Sequence, residues 1–210
     1  IGGDTAYDMN KRLDGDIFSK NPTVLMVTFG MNDSGYYEYN GDNAKEFGEQ
    51  KYQESIKNFQ QMEKRFKELP HTRIVMTGTS PYDETAQIKD NTVFKKKNET
   101  IKRIIEYQRE SAARNGWEFT DWNAPMVAIN QELQQKDPSF TLCGNDRIHP
   151  DNDGHMVMAY LFLKAQGFAG KDVANMEINA NKKQAVKAEG CTISNIKKIG
   201  KDISFDYLAE

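Results

Sequence analysis

Three short stretches carry residue types that could do chemistry together. In "NDRIHPDNDGH", Asp146 and His149 stand three apart in a polar loop ahead of Pro150. A carboxylate beside an imidazole fixes its tautomer and stabilises its protonated form, the orienting half of a nucleophile–His–Asp system. The histidine then takes a proton from the nucleophile. The same spacing also suits a plain surface turn rich in Asp and Asn. In "FGMNDSG", Asn32 follows directly on the apolar run "TVLMVTF". A turn accounts for it, and so does a side chain carried to the mouth of a site. In "IGGDTAYDMNKRL", two glycines precede an Asp-Thr pair and a helical pattern. That arrangement presents a backbone N–H at a loop edge, although a lone GG pair carries little information.

The histidine loop also admits a metal reading. Asp146, His149, Asp151, Asp153 and His155 form a dense set of hard ligands. The glutamate that closes an EF-hand loop is absent, and no Cys/His pairs have zinc spacing. Metal is therefore the weaker reading. His155, at the start of an apolar helix, reads as a capping or packed histidine.

Strands and helices must bring these stretches together. "TVLMVTF" (23–29) is apolar nearly throughout, as a strand buried on both faces should be. Residues 44–69 are helical, with Tyr52, Ile56, Phe59, Met62 and Phe66 forming one apolar stripe before Pro70 stops the helix. A second strand, 72–78, leads into "TSPYDE". The next helix spans 92–116, buries Val93, Ile101, Ile104, Ile105 and Ala112, and ends at Asn115-Gly116. A third strand lies at 117–121. Helices follow over 124–135, with Pro125 in the first turn, and over 153–167. Alternating strands and helices imply parallel strands with right-handed crossovers. Ligands of open α/β sheets bind outside the carboxyl ends of the strands. "GMND", "TSPYDE" and "DWNAP" therefore share one rim. The chain divides into an α/β domain, 1–169, and a β-type appendage, 170–210, with breaks at Gly190 and Gly200.

The totals agree with one core-forming domain: 210 residues, 38% of them hydrophobic. A net charge of -3 predicts no nucleic-acid footprint, and no stretch is apolar for the roughly 20 residues a membrane span needs. "FKKKNETIKR" reads as a solvated helix face. Cys143 and Cys191 could form one disulfide, with two free thiols the favoured reading. "NET" at Asn98 matches a glycosylation acceptor, a pattern common by chance.

Taken together, "GGDT", "FGMND" after a strand and "DRIHPDNDGH" before an apolar helix resemble the SGNH (GDSL-type) hydrolase family over roughly residues 1–167. The resemblance implies a flavodoxin-like three-layer α/β/α fold with a parallel sheet of order 2-1-3-4-5. It implies an ester hydrolase without metal or organic cofactor. It makes His149 the base and Asp146 its orienter. Gly3, by its backbone N–H, and Asn32, by its side-chain amide, become the oxyanion hole. The family's nucleophile is a serine in a GDS block ahead of the glycine block, and that block is not in this chain. Ser34 is the best internal substitute; Ser80 and Ser139 do not occupy the position. The readable strands would be 3, 4 and 5 of the family's sheet. Strands 1 and 2 would lie upstream, and 23–29 would be a bare apolar edge, open to an upstream segment or a second chain. The aromatic loop "GYYEYNG" could wall a substrate cleft, which suits a carbohydrate ester and deacetylation. The same analogy gives a secreted or periplasmic protein. A serine-less glycan- or protein-binding module is the alternative.

Overall fold

The computed structural model describes residues 1–89 and 92–210 and divides them into two compact units, Ile1–Gly167 and Phe168–Glu210. The first unit begins with helix α1, Ala6–Asp16. Thr5 caps it, its hydroxyl accepting from the Asp8 N–H while the Asp8 carboxylate accepts from the Thr5 N–H. This reciprocal box satisfies two donors that a helix start leaves unpaired. Strand β1 (Val24–Phe29), helix α2 (Ala44–Phe66), strand β2 (Arg73–Gly78), helix α3 (Lys97–Asn115) and strand β3 (Glu118–Asp121) follow in alternation. Helices α4 (Asn123–Leu133) and α5 (Asn152–Ala165) complete the unit.

The three strands form one parallel sheet in the order β1-β2-β3. Val24 pairs with Arg73, Phe29 with Gly78, and Gly78 in turn with Asp121. All three strands therefore end on one rim. The central strand β2 is buried from Ile74 to Gly78. β1 is different: Leu25, Val27 and Phe29 are buried, while Val24 and Met26 are half exposed. The expectation of a strand buried on both faces is corrected here. Val24 and Met26 point to the face opposite Leu25, Val27 and Phe29, and that face of β1 meets solvent. Among the described residues β1 also pairs only with β2, so its other edge stays open. An unpaired apolar edge of this kind is a template for strand addition.

The main core lies between the sheet and helices α1 to α3. It is built from Ala6, Leu13, Leu25, Val27, Phe29, Phe59, Met62, Phe66, Ile74 and Met76, with Ile104 and Ala112 from α3. Phe59 is fully buried, tilted against Phe29 with ring centroids 5.0 Å apart. A second cluster joins Trp122, Met126, Leu142 and Cys143 to the inner face of α5.

Helix boundaries differ from the sequence reading by a few residues: α4 ends at Leu133 and not 135, and α5 at Ala165 and not 167. α2 ends at Phe66, followed by turns to Leu69. α3 begins at Lys97, so Val93 and Phe94 lie ahead of it, packed on Tyr82, Ile101 and Ile105. The α3 stop is as read: Gly116 at φ +67° donates to the Ala112 and Ala113 carbonyls. Among the described residues no helix is long and apolar enough to cross a membrane.

The second unit holds two antiparallel hairpins, strands β4 (Asn175–Asn179) with β5 (Gln184–Glu189) and β6 (Cys191–Ile199) with β7 (Asp202–Ala209). Both cysteines are buried free thiols.

Phe59→Ala should lower the unfolding free energy by about 3–5 kcal/mol, read by chemical denaturation, because a fully buried ring is replaced by a cavity.

Candidate active site

The turn after β1 is built around a buried carboxylate. Gly30 takes φ +128°, and a Cβ there would sit 3.3 Å from the Thr79 methyl. The Asp33 side chain folds back beneath the turn. One oxygen accepts from the Gly30 N–H (3.1 Å); the other accepts from the Ala6 N–H and the Ser55 hydroxyl (both 3.0 Å). One residue thus ties the end of β1 to the start of α1 and to α2. Burial raises the Asp33 pKa above the usual carboxylate range, against these hydrogen bonds.

Asn32, by contrast, is partly exposed at the top of the turn. Its amide nitrogen donates to the Asp4 carbonyl (3.0 Å), and its amide oxygen accepts from the Tyr36 hydroxyl (2.6 Å). One N–H of the amide remains to meet a ligand. The Asp4 carbonyl belongs to the residue after Gly3, which has φ +83° in an exposed turn closed from Asp4 N–H to Ile1 carbonyl (3.3 Å). The two residues assigned to an oxyanion hole thus lie one residue apart across a single hydrogen bond. A cavity of about 260 Å³ opens beside them, bounded by Asp4, Arg12, Thr28, Asn32 and Thr79 among others.

Lys97, read from the sequence as part of a solvated face, is completely buried. That reading is corrected: Lys97 opens α3 in phase with Ile101, Ile104 and Gln108 on the helix's buried side. Its ammonium donates to the Met31 carbonyl (2.7 Å), the Ser34 hydroxyl (2.5 Å) and the Gly35 carbonyl (2.6 Å). It also lies 3.9 Å from the centre of the Tyr36 ring. Burial pushes its pKa down to about 7, opposed by the charges of Asp33 and Glu84.

The second half of the site is the loop before α5. Asp146 accepts from the Ile148 and His149 N–H groups with one oxygen (both 2.9 Å), and its other oxygen meets His149 Nδ1 at 2.6 Å. Partial burial raises the Asp146 pKa, but the hydrogen bonds from His149 and Ile148 outweigh it, leaving the carboxyl below its usual value. The imidazole is largely exposed, and among the described residues it is hydrogen-bonded only to Asp146. Gly144, at φ +66°, lets the loop close; a Cβ there would lie 2.6 Å from the His149 carbonyl. Arg147, also left-handed, plunges inward and donates to the Asp83 and Ala86 carbonyls. Sequence reasoning missed this anchor, because an arginine inside an acidic loop reads as surface.

Two observations bring the halves together. Met31 and Ile148 pack on the same cluster of Tyr82, Ile101 and Ile105. The Tyr36 hydroxyl has its pKa pushed up to about 12, first by burial and then by the charges of Asp146 and Asp33.

Other sequence candidates have structural roles here. Ser34, the internal substitute for the nucleophile, is fully buried beneath the turn; its hydroxyl donates to the Met31 carbonyl. Ser80 is buried, and Ser139 is turned onto Asp137. Asp151 caps α5 through the Gly154 N–H, and the set Asp146, His149, Asp151, Asp153 and His155 is not gathered: among the described residues no three His, Cys, Asp or Glu side chains are placed to hold a metal. Asn98 is buried and paired with Asn123, so its "NET" motif is structural in this fold. In the aromatic loop, Tyr39 is buried on Ser34 and Thr100, whereas Tyr37 is exposed against Phe94.

Comparison with known proteins agrees with this architecture. Residues 1–157 match the GDSL-like lipase/acylhydrolase family, and the chain belongs to it. It is an acyl-ester hydrolase by that membership. Among solved structures it is similar to an acetylxylan esterase from Geobacillus stearothermophilus, at 20% identity and TM-score 0.60, covering 79% of this chain and 69% of that one. It is also similar to the acetyl xylan esterase AlAXEase, at 22% identity and TM-score 0.57, covering 79% of this chain and 77% of that one. The matched structures of the Geobacillus enzyme include catalytic mutants in which a serine, an aspartate or a histidine is replaced by alanine. No curated protein matches the sequence.

The Lys97 environment predicts a pH-dependent stability. The unfolded lysine holds its proton to about 10.5, the folded one only to about 7. Unfolding takes up a proton between those values, so stability rises with pH across that window. Denaturation of the protein and of Lys97→Met should show this rise in the former and its absence in the latter.

Proposed function

We propose that the chain carries the base, orienter and oxyanion donors of a serine esterase that removes acetyl groups from a carbohydrate. The observation that carries this reading is the Asp146–His149 pair, held at 2.6 Å in a loop that shares its packing with the turn bearing Asn32. A serine hydroxyl attacks the ester carbonyl and passes its proton to Nε2 of His149, while Asp146 holds the imidazole by Nδ1. The tetrahedral oxyanion accepts from the Asn32 amide N–H and the Gly3 backbone N–H. Collapse breaks the C–O bond, and His149 returns the proton to the departing alcohol. Water then repeats the sequence on the acyl-serine and releases acetate.

Among the described residues no serine is hydrogen-bonded to His149, so we take the nucleophile from a segment outside residues 1–210. We assign the open edge of β1 to that segment, with a second chain as the other candidate. The catalytic mutants of the Geobacillus enzyme name the same three residue types, and its aspartate and histidine lie three positions apart, as Asp146 and His149 do. The sugar is suggested by the acetylxylan esterases of like fold and by the exposed Tyr37 ring beside Phe94. An external polysaccharide would make this a secreted or periplasmic protein. The second reading, a serine-less glycan- or protein-binding module, draws on the same absence of a serine beside His149.

The test is hydrolysis of acetylated xylo-oligosaccharides by the complete encoded protein. Turnover should be indifferent to chelator and fall by about 10³-fold or more in His149→Ala. In Asn32→Ala it should fall by about 10²–10³-fold, close to 3 kcal/mol of lost transition-state stabilisation. Glycan binding without turnover would favour the binding module, and loss of turnover with chelator would favour a metal-dependent hydrolase.

A further inference from the structure

A side-chain amide has two faces, and only one donates. If Asn32 is to meet an oxyanion, something must hold its nitrogen, and not its oxygen, toward the ligand. The Asp4 carbonyl can only accept, so the atom 3.0 Å from it is the nitrogen. The other amide atom is then the oxygen, and the Tyr36 hydroxyl 2.6 Å away must donate to it. A phenol that gives its proton in this way has to stay protonated. Its burial and the neighbouring charges of Asp146 and Asp33 keep it so.

The Tyr36 ring has its own support. Lys97 places its ammonium 3.9 Å from the ring centre, within the range of a cation–π contact, and Phe94 meets the ring edge-on. The same ammonium gathers the Met31 and Gly35 carbonyls, which bracket Asn32 in the chain. It has no carboxylate partner among the hydrogen bonds it makes, and it opens a helix, where the macrodipole disfavours a cation. A lysine amine buried in so costly a place is explained by the turn groups that it holds.

We propose that Tyr36 and Lys97 are positioning residues that fix the Asn32 amide as an oxyanion donor. Tyr36 sets the amide's orientation through its hydroxyl, and Lys97 holds the ring and the turn beneath it. The inference rests on Asn32 being an oxyanion donor, and it adds two residues that the sequence motifs do not include.

Tyr36→Phe removes the hydroxyl and keeps the ring over Lys97, so the fold is preserved. In the complete encoded protein, kcat on a small acetyl ester should fall about tenfold with KM unchanged, the loss of one hydrogen bond felt only in the transition state. In an Asn32→Ala background the same change should cost nothing further. An unchanged kcat, or an equal loss in both backgrounds, would overturn the proposal. Lys97→Met should act in the same direction where it folds, and Lys97→Arg, which keeps a donor but in a larger planar group than the three converging acceptors fit, should fall between. A second readout needs no turnover: the side-chain amide protons of Asn32, assigned by their loss in Asn32→Ala, should exchange with solvent faster in Tyr36→Phe. Unaltered exchange would overturn the proposal even if the protein hydrolyses no ester. Faster exchange in a protein without turnover would leave the positioning intact and reject the esterase reading.

Discussion

The site depends on a turn pinned from beneath by two buried ionisable side chains, Asp33 and Lys97. Asp33 takes the N–H groups of Gly30 and Ala6 and the Ser55 hydroxyl, while Lys97 takes the Met31 and Gly35 carbonyls and the Ser34 hydroxyl. Neither side chain is free to find water, and each is satisfied almost wholly by the turn and its neighbours. Burying such groups is costly, and removing either would leave the turn groups that it satisfies unmet in a low-dielectric interior. What this arrangement secures is geometry. The six residues from Gly30 to Gly35 are held by side chains from α2 and α3 and by the backbone of Asp4 and Ala6, so Asn32 has little freedom to drift.

The opposite wall is built on the same plan with different parts. Arg147 is drawn inward by the carbonyls of Asp83 and Ala86, and Gly144 lets the backbone close on His149. Both backbone positions are left-handed, which glycine adopts freely, whereas Arg147 holds it only because its buried side chain is anchored. The result leaves the imidazole exposed on a fixed loop, with Asp146 held by three hydrogen bonds. Preorganisation of this kind is the main resource of an acyl-transfer site, whose donors must stand where charge will develop before it does so.

The order of elements was legible in the sequence because the apolar stripes of 44–66 and 101–112 and the strand at 72–78 have unambiguous periods. The stretches around Asn32 and Asp146–His149 were legible as motifs. What escaped was whatever depended on tertiary partners. β1 looks buried on both faces because its composition is uniformly apolar, yet Val24 and Met26 leave one of its faces half exposed. Lys97 looks solvated because it follows two other lysines. Only its phase with Ile101 and Gln108 marks it as internal, and that phase carries weight only once α3 is known to start there. Tyr36 and Tyr39 look alike in "GYYEYNG", and only the fold separates the one that reaches Asn32 from the one buried on Thr100.

The central claim is that Asp146, His149 and Asn32 serve one nucleophilic site. The most direct test is the intact mass of the complete encoded protein after treatment with an organophosphate, alongside His149→Ala. The account predicts a single phosphoryl adduct on a serine hydroxyl, formed rapidly by the protein and not by the variant. No adduct, or one that forms equally without His149, would contradict it.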